Sequence, residues 1–311
     1  DLTNGAATAW DPNPDGQVSA LALSGNRVYL GGLFNTVGGQ PRLNLAAVHA
    51  STAAVESWVA DTDNQVFALD ASSPVVYAGG NFTTVNGVTR DFAAALDPSS
   101  GTVTAWAPEA NGTVRGLFAT CDRVYVGGFF TSIGGQPRNR AATVNLTNGQ
   151  ALAWDPSANG PVFAVVPAPG VVYLVGVLST IGVTARNRAA AVDPVTGAVT
   201  PWNPNTNGTV RSLVHDANNV FLGGVFSTVS GTPSGNLASV SPDLSGSCPA
   251  ISLPAPPLAA GVTGVAYGVP LAANGGSGPY CYAVSAGTLP AALSLDRGTG
   301  QLAGTPSGAG V

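Results

Sequence analysis

A repeat of 48 residues runs through most of this 311-residue chain and limits its fold more than any other feature. The segment VYVGGFFTSIGGQPRNR begins at Val124, related segments begin at Val28, Val76 and Val220, and a degenerate copy begins at Val172. The five tryptophans keep the same spacing: Trp10, Trp58, Trp106, Trp154 and Trp202. Self-similarity at a fixed period of this length is typical of propellers and solenoids, in which each repeat packs on its neighbours.

Each copy contains four short β-rich runs separated by turn residues. In the copy that begins at Val114 the runs are VRGLFA, RVYVGGFF, RAATVNL and ALAWDP. Four such runs per repeat predict an all-β fold, a five-bladed β-propeller with one four-stranded sheet per repeat. We expect each tryptophan to pack between adjacent blades, and the glycine pair to mark a bulge or a close backbone approach.

The two ends of the repeat region predict how the ring closes. The last repeat supplies runs near Val210, Val220 and Leu237 but no fourth run with a tryptophan, whereas DLTNGAATAW, residues 1–10, is a fourth run without a third. We therefore expect the N-terminal strand to complete the last blade and close a ring of five, which would remove exposed sheet edges. The alternative is a window cut from a longer propeller.

The repeat motif resembles the delta-sixty family of bacterial β-propeller repeats, whose copies carry GGxFTxxxGxxRxxxAxL. The matching residues in two copies are Gly79, Gly80, Phe82, Thr83, Gly87 and Arg90, and Gly127, Gly128, Phe130, Thr131 and Arg138. The fourth copy departs from the motif at Val175 and Leu178, and the fifth has Ser234 in place of the arginine. The resemblance implies a propeller on a large secreted or surface protein of bacteria.

A different segment follows the repeats. A proline-rich connector begins at Cys248, and residues 276–306 resemble the immunoglobulin-like family of bacterial surface proteins through LPAALSLDRGTGQLAGTP, which begins at Leu289. The resemblance implies a β-sandwich whose last strand follows the GTP turn, and the sequence stops at Val311 before that strand. Either the chain continues or a neighbour donates the strand. The predicted domains are a propeller at 1–246 and an incomplete immunoglobulin-like sandwich at 247–311.

The three cysteines are Cys121, Cys248 and Cys281. Cys121 falls at a turn of the repeat, so we expect a free thiol there. Cys248 and Cys281 both lie beyond the repeats, and a disulfide between them is the preferred interpretation, which implies an oxidising compartment.

Composition excludes several classes of partner. The formal net charge is −5, only 9% of residues are charged, and the basic residues form no run, which argues against nucleic acid or an anionic membrane as partner. The apolar stretch from Val162 to Val183 is interrupted by Pro167, Pro169 and Gly170, so it predicts a hairpin rather than a membrane helix. Nothing in the sequence points to a cofactor.

Arginines recur at one position of four repeats: Arg42, Arg90, Arg138 and Arg186. One hypothesis is a ring of cations that binds acidic or sulfated glycans, with one site per blade. The other, which repetition in successive blades favours, is that each guanidinium fork ties loop carbonyls or an acidic neighbour.

Other candidate chemistry is sparse. Asp11, Asp15, Asp61 and Asp63 could bind Ca²⁺, but turn formation explains these loops without a metal, and we expect no metal site. Glycosidase chemistry needs two carboxylates, and the inner runs offer only Asp70. We therefore expect no enzyme activity.

The combined interpretation is a non-catalytic, extracellular structural or adhesive module of a bacterial cell-surface or fibre-forming protein. We expect it to meet protein neighbours, or to self-assemble, through the incomplete C-terminal sandwich. The alternative is a propeller lectin with one carbohydrate pocket per blade, and a less favoured one is a polysaccharide-active hydrolase.

Overall fold

The computed structural model describes residues 6–72, 74–216, 218–243, 262–271, 289–290, 292–295 and 301–307. The chain forms two compact units, Asp1–Ser245 and Gly246–Val311. The regular secondary structure of the described residues consists of β-strands. These residues contain no helix that is long and apolar enough to cross a membrane.

The first unit contains one antiparallel sheet of three or four strands for each repeat, and we number these sheets, with their hairpins, blade one to blade five. Blade one contains β1 (Gln17–Ser24), β2 (Arg27–Leu33), β3 (Thr36–Val37), β4 (Gln40–Pro41), β5 (Leu45–His49) and β6 (Val55–Val59). Blade two contains β7 (Val66–Asp70), β8 (Val76–Gly80), β9 (Thr84–Val85), β10 (Val88–Thr89) and β11 (Ala93–Leu96). Blade three contains β12 (Val114–Ala119), β13 (Arg123–Gly128), β14 (Ser132–Ile133), β15 (Gln136–Pro137) and β16 (Ala141–Asn145).

The last two blades repeat this order. Blade four contains β17 (Val162–Ala168), β18 (Val171–Gly176), β19 (Thr180–Ile181), β20 (Thr184–Ala185) and β21 (Ala189–Val192). Blade five contains β22 (Thr209–His215), β23 (Val220–Val225), β24 (Thr228–Val229), β25 (Thr232–Pro233) and β26 (Leu237–Val240). In each blade an inner, a middle and a third strand pair antiparallel, and a two-stranded hairpin connects the middle strand to the third.

Among the residues that the structure describes, the predicted fourth strand is regular only in blade one, as β6. In blades two to four it is reduced to single bridges, such as the one between Leu96 and Val103. Proline provides the physical reason, since it has no N–H to donate and restricts the residue before it. Pro108, Pro156 and Pro204 follow these segments, whereas blade one has Ala60 at the same repeat position.

The two glycines of the repeated pair have different roles. A Cβ on the second glycine would meet a backbone carbonyl oxygen in every blade, at 2.2 Å for Gly128 and 2.0 Å for Gly176. The inner strand of each blade carries a bulge beside this point, so the predicted close approach is confirmed. The first glycine faces the valine that opens the next inner strand, and blade four holds the buried Val175 there instead.

Successive blades pack through a repeated interface. Between blades one and two, for example, Tyr29, Leu45 and Trp58 share one buried cluster with Val66 and Ala71. The ring of each tryptophan from Trp58 to Trp202 stands edge-on to a tyrosine at a centroid distance of 5.0 to 5.3 Å. Each of the five tryptophans also donates its Nε1–H to a carbonyl 39 residues later. The tryptophans therefore occupy the interblade role that the sequence predicts.

Closure of the ring is not confirmed. The sheet of blade five has three strands, and the described residues 6–10 form no strand beside it. Phe221 and Leu237 on blade five are 36% and 69% exposed, although their counterparts in the other blades are buried. We call these two residues the trailing face of blade five. Leu21 and Leu23, which we call the leading face of blade one, are 62% and 65% exposed.

The second unit contains β27 (Tyr267–Pro270), β28 (Leu293–Leu295) and β29 (Gln301–Gly304). They form one antiparallel sheet in which β29 lies between the other two. Leu302 of β29 is buried, and the strand ends in the GTP turn of the sequence motif. Two segments of the sequence motif, Leu293–Leu295 and Gln301–Gly304, therefore lie in one β-sheet.

Candidate functional site

The repeated arginines lie on the blades, where each guanidinium group holds the backbone of its own repeat. Arg138 donates from Nη1 to the carbonyl of Pro137 at 2.8 Å and from Nη2 to that of Leu152 at 2.7 Å. Arg42, Arg90 and Arg186 make the same pair of bonds at 2.6 to 2.7 Å. This geometry favours the structural interpretation, because two N–H donors of each guanidinium hold backbone carbonyls of the repeat and its Nε is buried.

The polar loops before each inner strand act as hydrogen-bonded caps. Oδ1 of Asp15 accepts from the amides of Asn35 and Thr36 at 2.8 and 3.0 Å, and Asp63 accepts from Thr83 and Thr84 in the same way. In the later blades a set of asparagines takes over this role: Asn111, Asn159 and Asn207. An uncharged amide serves as well as a carboxylate, so turn formation accounts for the position without a metal.

These hydrogen bonds lower the pKa values of the two capping aspartates, Asp15 and Asp63. The amides of Thr36 and Asn35 hold the pKa of Asp15 below its ordinary value. Partial burial raises the pKa of Asp63, but hydrogen bonds from the Thr83 hydroxyl and the amides of Thr84 and Thr83 outweigh it, and the net shift is downward.

The other two aspartates of the calcium hypothesis also serve the backbone. Asp11 accepts from the amide of Asn13 at 2.9 Å, and Asp61 from the amide of Leu43 at 2.8 Å. Within the described ranges, no three groups of the types His, Cys, Asp and Glu come together in a way that could hold a metal ion.

Asp70, the candidate for hydrolytic chemistry, is buried at the end of β7. Its Oδ2 accepts from the amide of Ala119 in blade three at 3.0 Å, and its Oδ1 accepts from the amide and hydroxyl of Ser72 at 2.9 and 2.6 Å. These bonds tie blade two to blade three. Asp70 is not among the residues that line the cavity described below.

Cys121 is disulfide-bonded, which corrects the expectation of a free thiol. A turn position had suggested an incidental cysteine, but turn exposure also leaves a thiol accessible for pairing. Cys248 and Cys281, on which the predicted disulfide falls, lie outside the described residues. In a chain with three cysteines, a bond at Cys121 and a bond between Cys248 and Cys281 exclude each other, unless Cys121 pairs with a second chain.

Residues of the five inner strands line a cavity of about 580 Å³ that sequence reasoning missed. One repeat position contributes a side chain from every blade: Ser19, Phe67, Arg115, Phe163 and Arg211. Gln17, Val18 and Gln65 complete the lining. The sequence does contain a signal for this cavity. The residue type at this lining position changes from blade to blade, whereas the preceding position is valine in all five repeats.

The cavity combines cations with aromatic rings and amides. The guanidinium carbon of Arg115 lies 3.9 Å from the ring centroid of Phe67 and 5.3 Å from that of Phe163. Nε2 of Gln65 donates to Ser19 Oγ at 3.1 Å and to Gln17 Oε1 at 3.4 Å. Burial lowers the pKa of Arg115, and the positive charge of Arg211 lowers it further.

Comparisons with solved structures return matches at low sequence identity, among them WD40 domains. The WD40 β-propeller domain of Doa1 is 13% identical, with 74% of this chain and 84% of that chain covered, at a TM-score of 0.46. The Pan2 WD40 domain of Neurospora crassa is 16% identical, with 66% and 59% covered, at 0.43. The computationally designed Ika4 protein is 15% identical, with 60% and 99% covered, at 0.42.

A search of curated protein sequences finds no match. The likeness of the repeats to the delta-sixty family stays an interpretation of their motif. The C-terminal resemblance has independent support, because residues 249–311 match the family model described as "Putative Ig domain". The chain therefore combines repeated antiparallel sheets with a C-terminal segment that is similar to an immunoglobulin-like domain.

Proposed function

We propose that this chain is a non-catalytic, extracellular structural or adhesive module of a bacterial cell-surface or fibre-forming protein. The observation that carries the proposal is that the recurring polar side chains of the repeat bind its own backbone. The repeated arginines, aspartates, asparagines and tryptophans all donate to or accept from backbone groups of the blades. A repeat built in this way supplies shape and surface rather than a reaction centre.

The C-terminal domain supports the same proposal. Immunoglobulin-like domains are common in cell-surface proteins, and residues 249–311 match such a family model. Assembly through strand donation at this domain would give a fibre, because a donated strand adds main-chain hydrogen bonds to an exposed sheet edge. A secreted location fits both the disulfide at Cys121 and the low charge.

Closure in five blades is part of the proposal. In the first four blades a residue of the third strand bridges the residue seven positions later, as Val48 and Val55 do. The same rule would place Ala7 opposite Val240 in a closed ring. Trp10 would then stand against Phe221, which has no tryptophan partner among the described residues.

A cross-linking experiment tests closure. Ala7→Cys with Val240→Cys is oxidised and mapped by mass spectrometry under non-reducing conditions, and Val48→Cys with Val55→Cys in blade one serves as the control. A cross-link within one chain supports a ring of five. A cross-link between chains, at the efficiency of the control, would contradict closure and point to assembly through the end faces.

The module proposal is tested on the whole 311-residue chain. Light scattering over a concentration series and negative-stain electron microscopy should show oligomers or filaments, and fractionation of the producing cells should place the protein outside the membrane. Hydrolysis of a polysaccharide that is lost in Asp70→Asn would instead favour an enzyme. Multivalent glycan binding that is lost in a folded Arg138→Ala variant would favour a lectin with one pocket per blade.

A further inference from the structure

The cavity between the inner strands carries side chains that blade packing does not explain. Its lining position holds Ser19, Phe67, Arg115, Phe163 and Arg211, while the adjacent inner-strand valine is the same in every blade. Serine and phenylalanine occupy this position of the inner strand in other blades, so blade formation does not require an arginine there. The two arginines therefore do something other than build the blade.

The charges in this cavity are not balanced by the protein. Within the described part of the chain, neither the guanidinium of Arg115 nor that of Arg211 forms a hydrogen bond or an ion pair, and no carboxylate lines the cavity. Two guanidinium groups thus face one open cavity in a protein whose net charge is −5. Bringing like charges together in a partly desolvated space is unfavourable unless an anion completes the site.

The neutral side chains add the features of a sugar site. Phe67 and Phe163 hold the Arg115 guanidinium by cation–π contact, which limits its rotation. On the wall formed by blades one and two, Gln17, Ser19 and Gln65 form a hydrogen-bonded group whose remaining donors and acceptors suit hydroxyl groups. The volume of about 580 Å³ is in the range of small-molecule pockets.

We propose that this cavity binds a carboxylate-bearing saccharide, such as a uronic acid residue. Arg115 and Arg211 hold the carboxylate through charge-assisted hydrogen bonds, which a planar guanidinium forms in bidentate fashion. Gln17, Ser19 and Gln65 bind the hydroxyls. The site is single and axial, and so differs from a lectin with one pocket on each blade.

Calorimetric titration of the full chain with glucuronate and a glucuronate-containing disaccharide tests this proposal, with the neutral glucose analogue as control. Saturable binding of the uronates alone is expected. Arg115→Gln and Arg211→Gln should each weaken it by about tenfold or more, since each removes a charge-assisted hydrogen bond. Arg123→Gln removes the same charge at the turn between β12 and β13, where Arg123 pairs with Asp122 and does not line the cavity, and should leave the affinity unchanged.

Ser19→Glu offers a second variant that does not depend on removing an arginine. A carboxylate placed at this exposed position would pair with the guanidinium groups and compete with the ligand, so binding should be lost while Ser19→Gln retains it. Three results would overturn the proposal: no saturable uronate binding, equal binding of the neutral sugar, or undiminished binding by the arginine variants and Ser19→Glu. Preference for a sulfated sugar over the uronate would overturn the carboxylate assignment.

Discussion

The interfaces between blades and the two ends of the blade series are built from the same residues but differ in burial. Leu45 on blade one and Leu237 on blade five occupy one repeat position, yet Leu45 is fully buried and Leu237 is 69% exposed. Likewise, Tyr29 to Tyr173 are covered at the inner interfaces while Phe221 is not. This difference shows that a residue at these positions is buried only where a neighbouring blade covers it.

Removing a tryptophan should give the largest contrast. Trp106→Ala deletes a buried ring that contacts Tyr77 and donates to the carbonyl of Asn145, and should lower the free energy of unfolding by about 3–5 kcal/mol. Trp10→Ala deletes a half-buried ring and the bond to His49, with a smaller expected loss. Urea denaturation measures both. Equal losses would show that Trp10 is stacked on a blade-five partner and would favour the closed ring.

The leucine pair gives a matched comparison of one residue type. Leu45→Ala should cost about 2–5 kcal/mol because it empties a buried site, whereas Leu237→Ala should stay within about 0.5 kcal/mol, as expected for a surface change. Thermal and urea unfolding provide the measurement. A large loss at Leu237 in dilute monomer would mean that the trailing face is covered within one chain.

The glycine pair should separate a backbone requirement from a side-chain one. Gly128→Ala puts a Cβ against the carbonyl oxygen of Thr113, which the bulge holds in place, and overpacking of this kind costs about 1–3 kcal/mol. Gly127→Ala meets Val162, with Cγ1 nearest at 2.7 Å and the backbone oxygen farther away at 3.3 Å. We expect the smaller loss at Gly127, because blade four accommodates Val175 there. An equal or larger loss at Gly127, read from denaturant midpoints, would contradict this ranking.

Acid should produce the smallest difference, between the caps of the early and late blades. The pKa of Asp63 in the folded chain lies below its ordinary value of 3.8, so its contribution to stability is complete above that pH and is lost as the pH falls through the folded pKa. Asn111 makes the equivalent cap without titrating. Asp63→Asn should therefore move the acid unfolding midpoint to lower pH.

The reciprocal variant, Asn111→Asp, should make the loop of blade three sensitive to acid. Amide hydrogen exchange at Thr83 and Thr131 between pH 6 and pH 2.5 follows the two caps separately. Unchanged acid midpoints in both variants would mean that these caps do not contribute to acid stability.

Sequence reasoning recovered what repetition encodes. The blade strands, the interblade tryptophans and the close approach at the second glycine all follow from residues that recur every 48 positions. The fourth strands of blades two to four were overestimated, because the effect of Pro108 and its counterparts outweighs the β-rich run before them. The axial site was missed because repeat alignment directs attention to invariant positions, whereas Arg115 and Arg211 stand at a variable one.

The bond from each tryptophan to a carbonyl 39 residues later has a consequence for synthesis. A blade emerging from the ribosome already carries the indole that will fasten its successor, but that indole has no acceptor until most of the next repeat has followed. Each repeat thus completes its tryptophan hydrogen bond only after the next repeat has been made. Folding of this chain should advance in steps of one repeat, and the most recently synthesised blade should always be the least stable.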